Sequence, residues 1–313
     1  MAHSIISPWY WLLKFAATVL RSLVYLRRGT QRYLRNRPLP AGITTERLQV
    51  PSRDGGRFIG VDLYRPADKP ASAKLPVLVN WHGSGYVLPS WGEDREFVVQ
   101  AVKALGCVVL DSDYRKGPEN VFPSAHNDAD DVVQWMLSQS HRFDVNSVAL
   151  SGFSAGAALA LSTGNHFGPS KIRAISALYP PVNFESVPSQ SPVPHKPRSG
   201  VHLSPAVVSI FNNSYVPDLS TRAEPRFKIG GLDPSRFPNH IFVATGDVDV
   251  LFPTAKKYFE ELARTEQDKK ITFVAVENEE HAWDKNPLVP ESVKARDDTY
   301  RQMFDNIRQA WKS

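Results

Sequence analysis

Ser151-Gly152-Phe153-Ser154-Ala155-Gly156 decides how this chain is read. It follows the apolar run Ser147–Leu150 and precedes a stretch of small residues, 154–164, so it sits where a strand turns directly into a helix. Glycines on either side of a serine let the chain make that turn tightly and leave the serine Oγ exposed above the strand end. A pentapeptide of this kind is a weak signal alone and a strong one in a strand–turn–helix setting. Ser154 is therefore expected to be a nucleophile.

Working outward, short apolar runs alternate with helical stretches from about Glu46 onward. Glu46–Val50 and Arg57–Tyr64 read as a hairpin around Asp54-Gly55-Gly56. Further strands are expected at Val77–Trp81, Cys107–Ser112, Ser147–Leu150, Ala174–Tyr179, Ile241–Thr245 and Ile271–Val276. Helices are expected at Glu93–Leu105, Ser124–Ser140, 154–164, Thr254–Arg264 and Ser292–Trp311. This alternation implies an α/β fold, a mostly parallel sheet covered by helices on both faces. Residues 180–238 interrupt it with many prolines, the polar run Ser186–Ser191 and one helix at Ser204–Asn212. A connection that long inside a compact domain usually has a functional role, often as a lid.

Seventy residues before the elbow, Trp81-His82-Gly83-Ser84-Gly85 leaves the strand Val77–Trp81. A Gly-rich loop there can aim backbone N–H groups at a developing oxyanion. Gly83, Ser84 and Gly85, together with the Ala155 N–H, are the expected donors, each typically worth about 3–4 kcal/mol in a transition state. His82 is expected to shape this loop rather than act as the base. After the elbow, Thr245-Gly246-Asp247-Val248-Asp249 closes a strand with two candidate acids, and His281 stands on the loop beyond the next strand. A Ser…Asp…His order is one of the arrangements a catalytic triad takes.

These motifs together resemble the hormone-sensitive-lipase-like branch of the α/β-hydrolases, which includes carboxylesterases and arylacetamide deacetylases. The stretch Asp113-Tyr114-Arg115-Lys116-Gly117-Pro118-Glu119, with Phe122-Pro123-Ser124-Ala125, Asp128 and Trp135, is similar to another of its patterns. The resemblance covers about residues 46 to 312. It implies an α/β-hydrolase fold with a helical cap, Asp249 as the acid with Asp247 as fallback, and His281 as the base. It also implies structural roles for Tyr114, Arg115 and Asp128. The cap would come from residues 1–40 and 181–236 and bring Trp9, Trp11, Val207, Val208, Phe211 and Tyr215 to the pocket. His82, Phe153, Phe211 and Trp283 are the expected substrate contacts. The chain departs from the pattern at Ser84 (usually Gly), Phe153 (usually Asp) and Ala157 (often Gly). The domain reading is an arm over 1–45 and a hydrolase body over 46–313, with a cap insertion at about 181–236.

The expected activity is hydrolysis of a small apolar carboxylic ester through an acyl-enzyme. The competing readings are a specialised hydrolase acting on a lactone, a C–C bond or a cyclisation, and a non-catalytic ligand-binding protein on the same fold. No H-E-x-x-H, C-x-x-C or dinucleotide glycine fingerprint is present, so neither a metal nor an organic cofactor is expected. The single cysteine, Cys107, excludes a disulfide framework.

The net charge of +5 is unevenly placed. Residues 1–40 hold Lys14, Arg21, Arg27, Arg28, Arg32, Arg35 and Arg37 and no acid, whereas the other 273 residues carry 30 bases and 32 acids. A nearly neutral body argues against a nucleic-acid partner. Trp9–Leu26 reads as an amphipathic helix with a polar strip of Lys14, Thr18, Arg21, Tyr25 and Arg28. It would pack on the protein, lie in a membrane interface or, least favourably, span a bilayer. A cleaved signal peptide is not expected, because no positive charge precedes the apolar run. An intracellular protein, cytoplasmic or peripherally attached to a membrane, is the expectation, with a homodimer left open.

Overall fold

The computed structural model describes residues 7–27, 38–183 and 197–313. Eight strands form one sheet: β1 Ile43–Pro51, β2 Phe58–Pro66, β3 Leu75–Trp81, β4 Val108–Ser112, β5 Phe143–Phe153, β6 Ala174–Leu178, β7 His240–Gly246 and β8 Lys270–Val276. Their order is β1-β2-β4-β3-β5-β6-β7-β8. The β1–β2 and β2–β4 pairs are antiparallel, and every pair from β4 to β8 is parallel. The β1–β2 hairpin closes as expected around Asp54, with Ser52 N–H donating to Arg57 O and Arg57 N–H to Asp54 O.

Seven α-helices accompany the sheet among the described residues: α1 Pro8–Arg27, α2 Arg95–Leu105, α3 Ser124–Ser138, α4 Ala155–Phe167, α5 Pro205–Tyr215, α6 Phe252–Thr265 and α7 Pro290–Ala310. Helices α3, α4 and α6 cover one face through Val132, Leu159 and Phe259, and α2 and α7 cover the other through Phe97 and Phe304. Burial on both faces explains why β3, β4 and β6 are mostly apolar and buried almost throughout, without alternation. Burying such side chains is worth roughly 1.5–3 kcal/mol each.

Strand β5 starts earlier than the sequence suggested, at Phe143 rather than Ser147. Its first turn of polar residues, Asp144 and Asn146, masks the pattern, and the β3–β5 register shifts between Leu75 and Val77. The interrupting segment supplies α5 and three short 3-10 turns, and the sheet then resumes at β7. The polar run Ser186–Ser191 lies outside the described residues.

Because β3 and β5 are parallel neighbours, their C-terminal ends emerge side by side, Trp81 against Gly152. The loop after β3 and the turn after β5 are thereby brought together. Gly156 seals the contact: a Cβ there would lie 2.0 Å from Trp81 O and 2.6 Å from His82 O. Gly152 is held in the same way, with a Cβ falling 2.2 Å from Gly156 O.

Candidate active site

Ser154 sits between β5 and α4 with φ +52° and ψ −120°. A non-glycine residue in that region costs of order 1–3 kcal/mol and persists only where its surroundings hold it. Here Ser154 N–H donates to Leu178 O (2.9 Å) and Ala158 N–H to Ser154 O (3.1 Å). The turn leaves Ser154 Oγ 3.0 Å from His281 Nε2. His281 Nδ1 lies 2.7 Å from Asp249 Oδ2, and the second carboxylate oxygen accepts from Leu251 N–H at 2.9 Å. A carboxylate only accepts, so Nδ1 carries the imidazole proton and Nε2 presents its lone pair to the Ser154 hydroxyl. Asp249 is fully buried and His281 nearly so.

The loops bearing the acid and the histidine are tied to each other. Val248 N–H donates to Glu279 O, and Asp247 Oδ1 accepts from Asn278 N–H at 2.8 Å. Asp247, the fallback acid, thus braces the turn before His281, and Asp249 faces the imidazole. Gly246 permits the close approach, since a Cβ there would lie 2.1 Å from Glu279 O.

The loop His82–Gly85 passes directly over the nucleophile. A Cβ on Gly83 would fall 3.3 Å from Ser154 Cβ. Ser84 Oγ accepts from Tyr86 N–H (2.9 Å) and pairs with Tyr114 Oη (2.8 Å), while Tyr114 Oη donates to His82 O (2.6 Å). With the one tyrosine proton given to His82 O, Ser84 donates to Tyr114. The hydroxyl that departs from the usual glycine therefore stiffens the loop. Gly85 has φ +56°, and the Phe211 ring of α5 lies where its Cβ would be, 2.3 Å from that point. Phe211 thus roofs the loop.

Three expected substrate contacts are corrected. His82, Phe153 and Trp283 are fully buried. His82 stacks on Tyr114 (4.6 Å) and faces Asp113 (3.4 Å). Desolvation, helped by the Lys116 charge, lowers its pKa, so it is a neutral strut. Phe153 points down into the core against Phe97 and Tyr300, because it immediately precedes the turn and shares the strand face opposite Gly152. Lys285 Nζ sits 3.0 Å above its ring. Trp283 packs edge-on against Tyr179.

Beneath the site lies a polar cluster that sequence reasoning missed. Lys285 Nζ contacts Asp94 (2.6 Å) and Asp284 (3.1 Å). Asp284 also accepts from Tyr179 Oη (2.7 Å) and Tyr300 Oη (2.6 Å). The Tyr179 ring, at φ +40°, meets the His281 ring edge-on at 4.7 Å. Asn80 Nδ2 donates to both Asp94 and Asp111, and Asn80 Oδ1 accepts from Ser151 Oγ. Burial works against the Lys285 charge, but Asp284 and Asp94 outweigh it and leave its pKa raised. Asp111 is pushed well above the usual carboxyl range by desolvation and by Asp94. Only Trp283-Asp284-Lys285, just beyond His281, hinted at this cluster.

The family-like stretch after β4 behaves as a brace. Arg115 pairs with Asp128 (2.8 Å) and Asp54 (2.6 Å), and Arg57 also contacts Asp128. Helix α1 packs on α5, and its Leu13 and Ala17 are buried. Arg21 reaches from it to Glu119 (2.8 Å), Gly117 O (2.7 Å) and Val87 O (3.0 Å). Of the residues expected from the cap, Tyr215 is fully buried and stacks on Tyr86 at 4.2 Å, and Trp9 and Trp11 are about half exposed. Val207 and Val208 are half-buried on α5. Among the described residues no group of His, Cys, Asp or Glu is placed to hold a metal ion.

Residues 78–285 match the model of a family described as having the alpha/beta hydrolase fold. An AB hydrolase superfamily protein of Schizosaccharomyces pombe is 33% identical over 38% of this chain and 35% of its own length. A probable carboxylesterase of Arabidopsis thaliana is 26% identical over 53% and 55%, and an ethyl acetate hydrolase of Pseudomonas putida 28% over 64% of each. The chain thus spans between about a third and just under two thirds of these relatives' lengths. Among solved structures, a Pyrobaculum calidifontis esterase superposes with a TM-score of 0.76 at 24% identity, covering 92% of both chains. A thermostable Pseudomonas putida esterase gives 0.79 at 22%, covering 95% of this chain and 91% of its own. At these identities the superpositions show a shared fold.

Proposed function

Since the chain belongs to the α/β-hydrolase fold family, we propose that it is a serine hydrolase that cleaves small apolar carboxylic esters through an acyl-enzyme. The observation that carries this reading is the hydrogen-bonded line Asp249–His281–Ser154 ending on a serine held at positive φ. His281 takes the Ser154 proton as Oγ attacks the ester carbonyl, and Asp249 holds the tautomer and stabilises the imidazolium. The N–H groups of Gly83, Ser84 and Gly85, on a loop whose geometry Tyr114 fixes, and of Ala155 at the start of α4 are the oxyanion donors. His281 then passes its proton to the leaving alcohol, and water, deprotonated by the same imidazole, releases the acid. Retention of all three residues in bonding geometry supports turnover over ligand binding alone.

The names of the relatives, carboxylesterases and an ethyl acetate hydrolase, support an ester of modest size. Phe211 over Gly85 supports the same choice, because an aromatic roof at the donor loop favours an apolar acyl group of short reach. The cap is read as α5 with its flanking turns, and α1 as its outer support. A fluorophosphonate probe is expected to label the wild type and not Ser154→Ala. A p-nitrophenyl ester series is expected to peak at short acyl chains. An unlabelled wild type overturns the hydrolase reading, and a maximum at long chains overturns the substrate class.

A further inference from the structure

The outward face of α1 is apolar along the whole helix. Leu12, Phe15, Val19, Leu23 and Leu26 recur at spacings of three and four and are 54%, 68%, 42%, 57% and 78% exposed. The opposite stripe, Leu13 and Ala17, is buried against the body. The helix therefore has a protein-facing stripe and a second apolar stripe turned to solvent, the reverse of a helix that ends its packing at the protein surface.

The helix is held in that orientation. Arg21 fastens it to Glu119 through two hydrogen bonds and to two backbone carbonyls, so the outer stripe cannot roll inward without losing four hydrogen bonds. Lys14 lies over the Tyr10 and Trp11 rings. The sequence continues with Arg27, Arg28, Arg32, Arg35 and Arg37, and no acid occurs in the first 40 residues.

We propose that this face docks on an anionic lipid surface, with α1 lying in the plane of the interface. An apolar stripe with basic flanks is what a helix needs to sink between acyl chains while its cations remain at the headgroups. None of the described helices is long and apolar enough to cross a membrane, so the contact is lateral. A second copy of the chain is the poorer occupant. An isologous contact would bring together two copies of a helix that carries bases and no acid.

The inference does not depend on ester cleavage and is tested without it. The full chain is floated with vesicles of phosphatidylcholine alone and of phosphatidylcholine mixed with phosphatidylserine, across a salt series. The wild type is expected to bind the serine-containing vesicles and to detach as salt rises. Phe15→Glu with Leu23→Glu is expected to lower that partitioning by about tenfold or more, with an unchanged melting curve. The milder Leu12→Ser with Leu26→Ser should show a smaller loss. A wild type that stays unbound, or that binds phosphatidylcholine alone equally well, overturns the proposal. So does a dimer, detected by light scattering, that the same substitutions dissolve.

Discussion

Asp247 and Asp249 are two residues apart, yet one carboxylate faces the imidazole and the other a backbone N–H. Asp249→Asn is expected to lower kcat on p-nitrophenyl acetate by about 10⁴-fold, because an amide at Oδ2 favours the wrong imidazole tautomer. Asp247→Asn should leave kcat within about tenfold and act mainly on stability, since its role is to hold the turn at Asn278. Equal losses from the two substitutions would reverse these roles. Ser154 and His281 stood out in the sequence because each follows a strand with local punctuation. The choice between the aspartates rested on resemblance, and only the fold shows which one turns inward. Phe153 is instructive in another way. Its chemistry was plain in the sequence but its direction was misjudged, although strand alternation alone points it away from the pocket. Tyr179 and Asp284 are 105 positions apart, and no periodicity records such a pairing.

At the level of elements, the meeting of β3, β5 and α4 builds the site, and glycine is the condition for it. Gly156→Ala would drive a methyl carbon into the Trp81 carbonyl, backbone against backbone, where no side chain can yield. A loss of about 1–3 kcal/mol or more is expected, read as a lower melting temperature with weaker fluorophosphonate labelling. Gly55→Ala, which meets open space in the β1–β2 turn, serves as the neutral control. The alternation of strand and helix was legible because parallel strands buried on both faces are mostly apolar. The start of β5 was not, because polar residues open it. Helix α1 was legible as a helix, but its orientation was not. Apolar residues surround it almost completely, and periodicity does not choose which side meets the protein.

Across the whole molecule, charge is sorted into an acid-free arm and a body that buries acids. Asp94, Asp111 and Asp284 are all buried, with Lys285 the cation among them. The folded-state pKa of Asp111 lies well above its unfolded value of 3.8. The folded state therefore binds the Asp111 proton more tightly. The stability this contributes is fully present below the unfolded pKa and is lost as pH rises through the folded one. Asp111→Asn imitates the protonated acid without that dependence. Its stability relative to wild type is expected to improve as pH rises above the unfolded value of 3.8 in urea unfolding, and a flat difference would exclude this carboxyl as the source. Arg21 links the two charge regions, and its position has a mechanical consequence. It grips Val87 O and Gly117 O, and Gly117 N–H in turn donates to Tyr86 O. Tyr86 and Val87 follow Gly85 directly. A force applied to the arm is therefore transmitted to the end of the donor loop without passing through the sheet, so arm and loop form a lever with its short end beside the nucleophile.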